Sequence, residues 1–434
     1  MRNRREQIAH VWRLSIPAIL TQITSIVMQY IDSAMVGKLG AGASAAIGLV
    51  STSTWLIGGL GSIMSVGFSV QVAQHIGAKN HLEARRVVKH GLVTALLFAL
   101  LLLGIGVSIS GPLPRWLGGE ESIRRDATAY FFVFACSIPF MEINRITSAF
   151  LQCSGNMVTP SVLNAVMCGL DVLFNALLIP RFGVLGAALG TGAATAVISF
   201  VMLWRCLRVP AFRSEQKESC PFDAGVLKRA MKIGLPVGAE QAAMCGAMVA
   251  TTVILAPLGT VAIAANSFAI TAEGLCYMPA YGIAAAATAI VGQQVGAGDA
   301  KEAKQLGSIT IGLGCLTMMV TALVMFFGCP FVFRLLTPDA QVQRLATQVL
   351  RIGLLAEPLY GVSIVASGAL RGAEDTLVPS LLNLGSIWIV RIGSALLLVN
   401  RFGLHGAWMA MAIELCVRGA LLLIRHCRSR YVVK

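Results

Sequence analysis

Twelve apolar runs of membrane-spanning length constrain this chain more than any other feature. A helix needs about 20 predominantly apolar residues to cross the hydrocarbon core of a bilayer. Such runs lie near residues 14–36, 45–72, 88–110, 127–152, 160–180, 184–207, 231–256, 262–295, 305–329, 345–370, 379–399 and 404–424. They are too long and too continuously apolar for the short alternating strands of a barrel. Inside a bilayer no water satisfies backbone polar groups, so the structure left to them is the helix. The expected fold is an all-α integral membrane protein with twelve transmembrane helices. The chain is 56% hydrophobic and 12% charged, where soluble domains carry about 25% charged residues. The basic start MRNRREQ resembles the first part of a signal peptide. The apolar run behind it is too long and lacks a small-residue cleavage site, so it reads as a retained helix.

A net charge of +14 would suit a nucleic-acid binder, but its distribution argues otherwise. The basic residues sit in short runs between apolar spans, where they set orientation and meet anionic headgroups. Most fall on one side: Arg2, Arg4 and Arg5, Lys79 to Lys89, the loop from Arg205 to Lys232, Lys301, Lys304 and the tail. The positive-inside rule then puts both termini and the middle loop in the cytoplasm. The 11 cysteines are scattered through apolar segments without a CxxC pair, and read as small packing residues. The six histidines form no metal-binding pattern and no phosphate-binding loop occurs. Neither an enzyme nor a cofactor is expected.

The second constraint is an internal repeat. Pro17 matches Pro236, an offset of 219 residues (236 less 17). The same offset carries Gln22 to Gln241, Leu39-Gly40 to Leu258-Gly259, Glu83-Ala84 to Glu302-Ala303, Pro139 to Pro358 and Asn164 to Asn383. After one inserted residue, Arg181-Phe182-Gly183 matches Arg401-Phe402-Gly403. Each half holds six spans, so both start on the same side, a parallel repeat about an axis along the membrane normal. The expected organisation is two six-helix lobes, 1–208 and 228–434, joined by a polar cytoplasmic loop, 209–227. Rocking of two such lobes around a cleft gives alternating access.

Acids within the spans mark candidate chemistry, because intramembrane carboxylates are costly and functional by default. Gln22, Ser25, Gln29 and Asp32 recur at helical spacing and share one face of the first span. Asn164, Cys168, Asp171 and Asn175 do the same in the fifth. Carboxylates, carboxamides and the hydroxyl of Thr191 are hard oxygen ligands, suited to a proton or Na⁺ at Asp32 and Asp171 and to no soft metal. Two bland readings stand beside this: Asp32 pairs within helix packing, or Asp171 pairs with a buried arginine such as Arg145. By the repeat Asp32 falls on Thr251 and Asp171 on Val390, which places any ion site in the first lobe. The second lobe has Glu240 beside Gln241, Glu273 four residues before Tyr277, and Glu357 before Pro358. A carboxylate with aromatic rings suits an organic cation, although tyrosines in spans are more often ordinary packing. Glu414 and Arg418 are four apart and read as a structural pair.

Several segments together resemble the multidrug and toxic compound extrusion (MATE) family. They are IDSAMVGKLG in the first span, AQHIGAKNHLEA and GQQVGAGDAKEA after spans 2 and 8, LQCSGNMVTP, LRGAEDTLVP and FGVLGAALGT. The resemblance covers the whole chain. It implies a transporter that exchanges small organic, cationic or otherwise toxic substrates for H⁺ or Na⁺ across a bacterial inner membrane, without an obligate protein partner. By position Asp32 matches the family's span-1 acid, and Asp171, Asn175 and Thr191 its first-lobe polar cluster. Family members commonly have Asn then Asp in span 5, where this chain has Asp171 then Asn175. Gln22, Gln29, Asn164, Glu240, Gln241, Glu273 and Tyr277 are the candidate substrate-cleft residues. The alternatives are a lipid-linked sugar flippase, which would want a strongly cationic cavity, and, from other classes, a membrane-embedded enzyme or a non-transporting sensor.

Overall fold

The computed structural model describes residues 4–213, 223–429 and 431. Residues 214–222 of the expected inter-lobe loop lie outside the described residues. The described chain is helical throughout, with no strand. Its first half contains α1 (Arg4–Gly37), α2 (Ala41–Leu60), α3 (Ser62–Gly77), α4 (His81–Ser110), the short α5 (Leu113–Trp116), α6 (Glu121–Cys153), α7 (Val158–Phe182) and α8 (Val184–Leu207). Its second half contains α9 (Ala224–Leu255), α10 (Thr260–Gly296), α11 (Ala300–Leu336), α12 (Ala340–Leu354), α13 (Glu357–Gly372), α14 (Leu377–Gly385), a π-helical segment (Ser386–Ile392), α15 (Gly393–Phe402) and α16 (Leu404–Arg428).

Eleven of the described helical stretches are long and apolar enough to cross a membrane, and the bent pair α12–α13 makes a twelfth. Two spans are more broken than the apolar pattern predicts. The second span, expected at 45–72, is interrupted at Gly61, between α2 and α3. A Cβ on Gly61 would collide with the carboxylate of Glu142 on α6, so the glycine seats that acid. The tenth span bends by 54° between α12 and α13. Its counterpart α6 keeps Pro139 inside one helix, whereas Pro358 opens α13. Proline fits the first turn of a helix, where its missing N–H has no partner to lose.

The repeat extends to the backbone. Positive φ recurs at matched positions: Gly40 and Gly259, Lys79 and Gly298, Gly155 and Glu374, Gly183 and Gly403. Caps recur as well, since Asn80 accepts from the N–H of Glu83 and Asp299 from that of Glu302. The single inserted residue of the second half falls between Asn383 and Arg401, where the π segment lies. A π-bulge is the way a helix absorbs one extra residue without breaking.

Two compact units divide the chain. One comprises Ile23–Gln241, and its core includes Val50, Leu102, Phe131 and Ile138 from α2, α4 and α6. The other comprises Met1–Gln22 with Ala242–Lys434, and its core includes Cys276, Phe333, Leu350 and Trp408 from α10, α11, α12 and α16.

Candidate functional site

In the unit Ile23–Gln241, α7 and α8 form a tight hairpin. Gly183 turns the chain at φ 59°, a conformation that L side chains rarely adopt. Beyond it, Gly186 and Gly190 recur at helical spacing on the face of α8 turned to α7. A Cβ on Gly186 would meet the Leu178 carbonyl, and one on Gly190 would meet Oδ1 of Asn175. Small residues at such positions let membrane helices approach closely.

That approach holds Asn175 against two acids. Its Nδ2 donates to Asp32 Oδ1 at 2.8 Å and to Asp171 Oδ2 at 3.3 Å. The carboxyl groups of Asp32 and Asp171 thus share one amide donor. Asp171 and Asn175 are fully buried, and Asp32 is half-buried. Oδ1 of Asp171 and Oδ1 of Asn175 are buried without a hydrogen-bond partner in the protein. Tyr130 of α6 lies in electrostatic range of both acids. No lysine or arginine pairs with either acid among the described residues. Arg145 instead pairs with Glu142 at 3.4 Å and donates to the Gly58 carbonyl. Two adjacent carboxylates without a basic partner cannot both stay ionised in a low-dielectric site. They must share a proton or hold a small cation, and every free atom offered to it is a hard oxygen donor.

Of the residues singled out from the sequence, the structure brings together Asp32, Asp171 and Asn175. Thr191 is half-buried next to Gly190, and Asn164 is buried on α7, but neither bonds to the three. Gln29 is exposed on α1. Glu240 is buried on α9, and the side chain of Gln241 fills the space left by Gly59 on α2.

Gln22, Glu273 and Tyr277 belong to the other unit. There Glu273 does not stand alone. Glu357 on α13 lies in electrostatic range of it, the two are 5% and 0% exposed, and both carboxylate oxygens of Glu357 are buried without a hydrogen-bond partner among the described residues. Two buried carboxyl groups placed close together are costly to ionise at the same time. Tyr277 packs edge-on to Tyr360 at 5.6 Å and to Tyr281 at 6.0 Å. The Arg418 guanidinium lies 5.1 Å from the Tyr360 ring centroid. Behind this pair Glu414 is fully buried and bound by Arg391 and Arg418, each at 2.9 Å, and by the Ser386 hydroxyl at 2.8 Å. Tyr130 and Gly190 carry no signal in the sequence, and Glu357 is marked there only as an acid before a proline. The Glu-Pro pair was visible, but its partner on another helix was not. Among the described residues no group of three or more His, Cys, Asp or Glu side chains is placed to hold a metal ion.

Thr251, the repeat counterpart of Asp32, bonds back to the Ala247 carbonyl at 2.8 Å. Because the inserted residue is taken up within 386–392, the counterpart of Asp171 is Val390 on one side of the insertion and Arg391 on the other. Neither counterpart is a carboxylate.

A family model described as MatE matches residues 17–177 and 236–397, both halves of the repeat. A probable multidrug resistance protein NorM of Bacillus cereus is 26% identical, over 95% of this chain and 93% of its own length. A protein of the same description from Pseudomonas syringae is 28% identical, over 93% of this chain and 91% of its own. A solved structure described as the outward-facing conformation of a multidrug resistance MATE family transporter shares the fold at a TM-score of 0.92 and 21% identity. It covers 97% of this chain and 95% of that chain. With both repeats matched and the helical architecture shared over nearly the whole length, this chain belongs to the MatE family of multi-pass membrane transporters and is not an enzyme.

Proposed function

We propose that the chain is a plasma-membrane antiporter that exports small organic cations, or other toxic compounds, in exchange for H⁺ or Na⁺. The observation that carries this reading is the buried Asp32–Asn175–Asp171 cluster, two acids joined by one carboxamide and without a basic partner. The names of its relatives, multidrug resistance proteins, support the export of drugs. Positive residues favour cytoplasmic termini. When the cluster is empty of cations it is negative and attracts a cationic substrate from inside. Uptake of H⁺ or Na⁺ from outside removes that charge and releases the substrate outward. The moving bodies in this alternating-access cycle are the two six-helix halves, each ligand shifting them only by its differential affinity for the two states. No cofactor or protein partner enters the cycle.

The test is substrate efflux from proteoliposomes under an imposed pH gradient or Na⁺ gradient, one at a time. Asp32→Asn is expected to abolish ion-driven exchange while leaving the protein monodisperse in detergent. Full-rate exchange by that variant would sink the role given to Asp32.

The Glu273–Glu357 pair supports a second reading, in which coupling runs through the other half. Glu357→Gln would then stop ion-driven exchange and Asp32→Asn would not. The flippase alternative has less support, because Arg145, Arg391 and Arg418 are each engaged by a buried glutamate.

A further inference from the structure

A cavity of about 780 Å³ opens between α6 and α8 in the unit Ile23–Gln241, at the end of the helices remote from the inter-lobe loop. Its rim carries Arg115, Arg124 and Arg125 against a single acid, Glu121, and its floor is apolar, with Phe132, Leu185 and Leu189. Arg124 is committed, since its Nε donates to the Gly119 carbonyl at 2.7 Å. Arg115 and Arg125 are exposed and form no ion pair among the described residues. Phe132 is 45% exposed, as a residue at lipid depth can be.

The depth of the cavity follows from α8. Leu185, Leu189, Val197, Phe200 and Trp204 form a stripe along it, with the last four all exposed. From Leu185 to Trp204 the helix rises roughly 28 Å, close to the hydrocarbon thickness of about 30 Å. Each end of the stripe has an interfacial tryptophan with an arginine. Trp204 carries the Arg208 guanidinium 4.0 Å from its ring centroid, and Trp116, 68% exposed, adjoins Arg115. Exposed tryptophans sit at headgroup level. The arginine rim is therefore at the membrane–water interface and the apolar floor lies just below it in hydrocarbon.

From this geometry we propose that the α6–α8 cavity binds one anionic phospholipid, its phosphate on Arg115 and Arg125 and an acyl chain along Phe132, Leu185 and Leu189. Guanidinium groups recognise phosphate bidentately. A soluble anion would leave the apolar floor without an occupant, and a zwitterionic lipid would leave the excess positive charge unmatched. The anionic phospholipid satisfies both features.

Native mass spectrometry of the purified protein, titrated with phosphatidylglycerol, phosphatidylcholine or inorganic phosphate, tests this. The wild type is expected to retain one phosphatidylglycerol in preference to phosphatidylcholine, and inorganic phosphate is expected not to displace it. In Arg115→Gln/Arg125→Gln the apparent Kd for phosphatidylglycerol should rise roughly tenfold or more. Arg181→Gln, an exposed arginine at the same end of α7 and outside the cavity, should change nothing. Leu189→Asn, with the arginines intact, should also weaken retention. The proposal is overturned by equal retention of the two lipids, by an equal loss in Arg181→Gln, or by displacement with phosphate alone, which would identify a soluble-anion site.

Discussion

Gly190 shows how a residue without a side chain can govern the chemistry of others. Its bare Cα lets α8 lie against the Asn175 carboxamide, whose Nδ2 bridges Asp32 and Asp171. Gly190→Ala would put a methyl on Asn175 Oδ1 and push the amide off at least one acid. We expect a stability cost of about 1–3 kcal/mol from overpacking and a larger relative loss of ion-driven efflux. The control is Gly169→Ala on the open face of α7, where a Cβ meets nothing. It should leave efflux unchanged and raise stability by about 0.5–1 kcal/mol through helix propensity. If both variants transport alike, Gly190 does not position Asn175. The acids of this site were legible in the sequence because Asp171 and Asn175 lie one turn apart on a single helix, and because an acid at bilayer depth is conspicuous. Gly190 was not legible, since its role depends on how closely two helices approach. Nor was the proximity of Glu273 to Glu357, which lie on different helices with no local spacing to relate them.

At the scale of a helix, the π segment Ser386–Ile392 is the informative element. Ser386 and Arg391 both reach Glu414 although they are five residues apart. At about 100° per residue an α-helix would point them roughly 140° apart. The i→i+5 winding of a π-helix places them on successive turns of one face. The one-residue insertion in the repeat was visible in the sequence as a change of offset, but its form was not. A loop or a kink would have given the same register shift. Deleting Ile389, a residue 75% exposed, should restore α winding and separate Arg391 from Glu414. Breaking a fully buried pair costs about 3–5 kcal/mol. Here about 1–3 kcal/mol is expected, because Arg391 is 25% exposed and Arg418 stays on the acid. Glu414→Gln should cost more than the deletion, since it leaves Arg418 buried without its counter-charge. Thermal unfolding in detergent measures both, and a deletion variant as stable as wild type would show that the winding is not needed for the pair.

Across the whole molecule, each compact unit combines most of one half of the chain with the leading helix segment of the other half. The two arrangements are reciprocal. In the unit Ile23–Gln241, the α9 glycines Gly234 and Gly238 lie against Ile63 of α3. In the other unit, Gly282 of α10 lies against Ala18 and Ile19 of α1. The repeat offset of 219 carries Ile19 to Gly238 and Ile63 to Gly282, so the small and large partners have changed places while the close approach is kept. The repeat itself was plain in the sequence. This grouping was not, because apolar runs record where spans lie and not which neighbours they choose. More ties hold the start of α9 to its unit: Gln71 donates to the Val226 carbonyl at 3.2 Å, Arg229 to Gln74 at 2.6 Å, and the N–H of Asp223 to His90 at 2.9 Å. A fragment 1–213 therefore lacks a packing segment of its own core, and a fragment 1–241 supplies it. We expect the longer fragment to accumulate in membranes and resist protease, and the shorter one to be degraded. Gly234→Leu in the longer fragment should return it to the behaviour of the shorter, because the side chain would meet the Ile63 backbone. Equal lifetimes of the two fragments would mean that α9 adds nothing to the stability of that unit, and that the halves fold as they are divided by the loop.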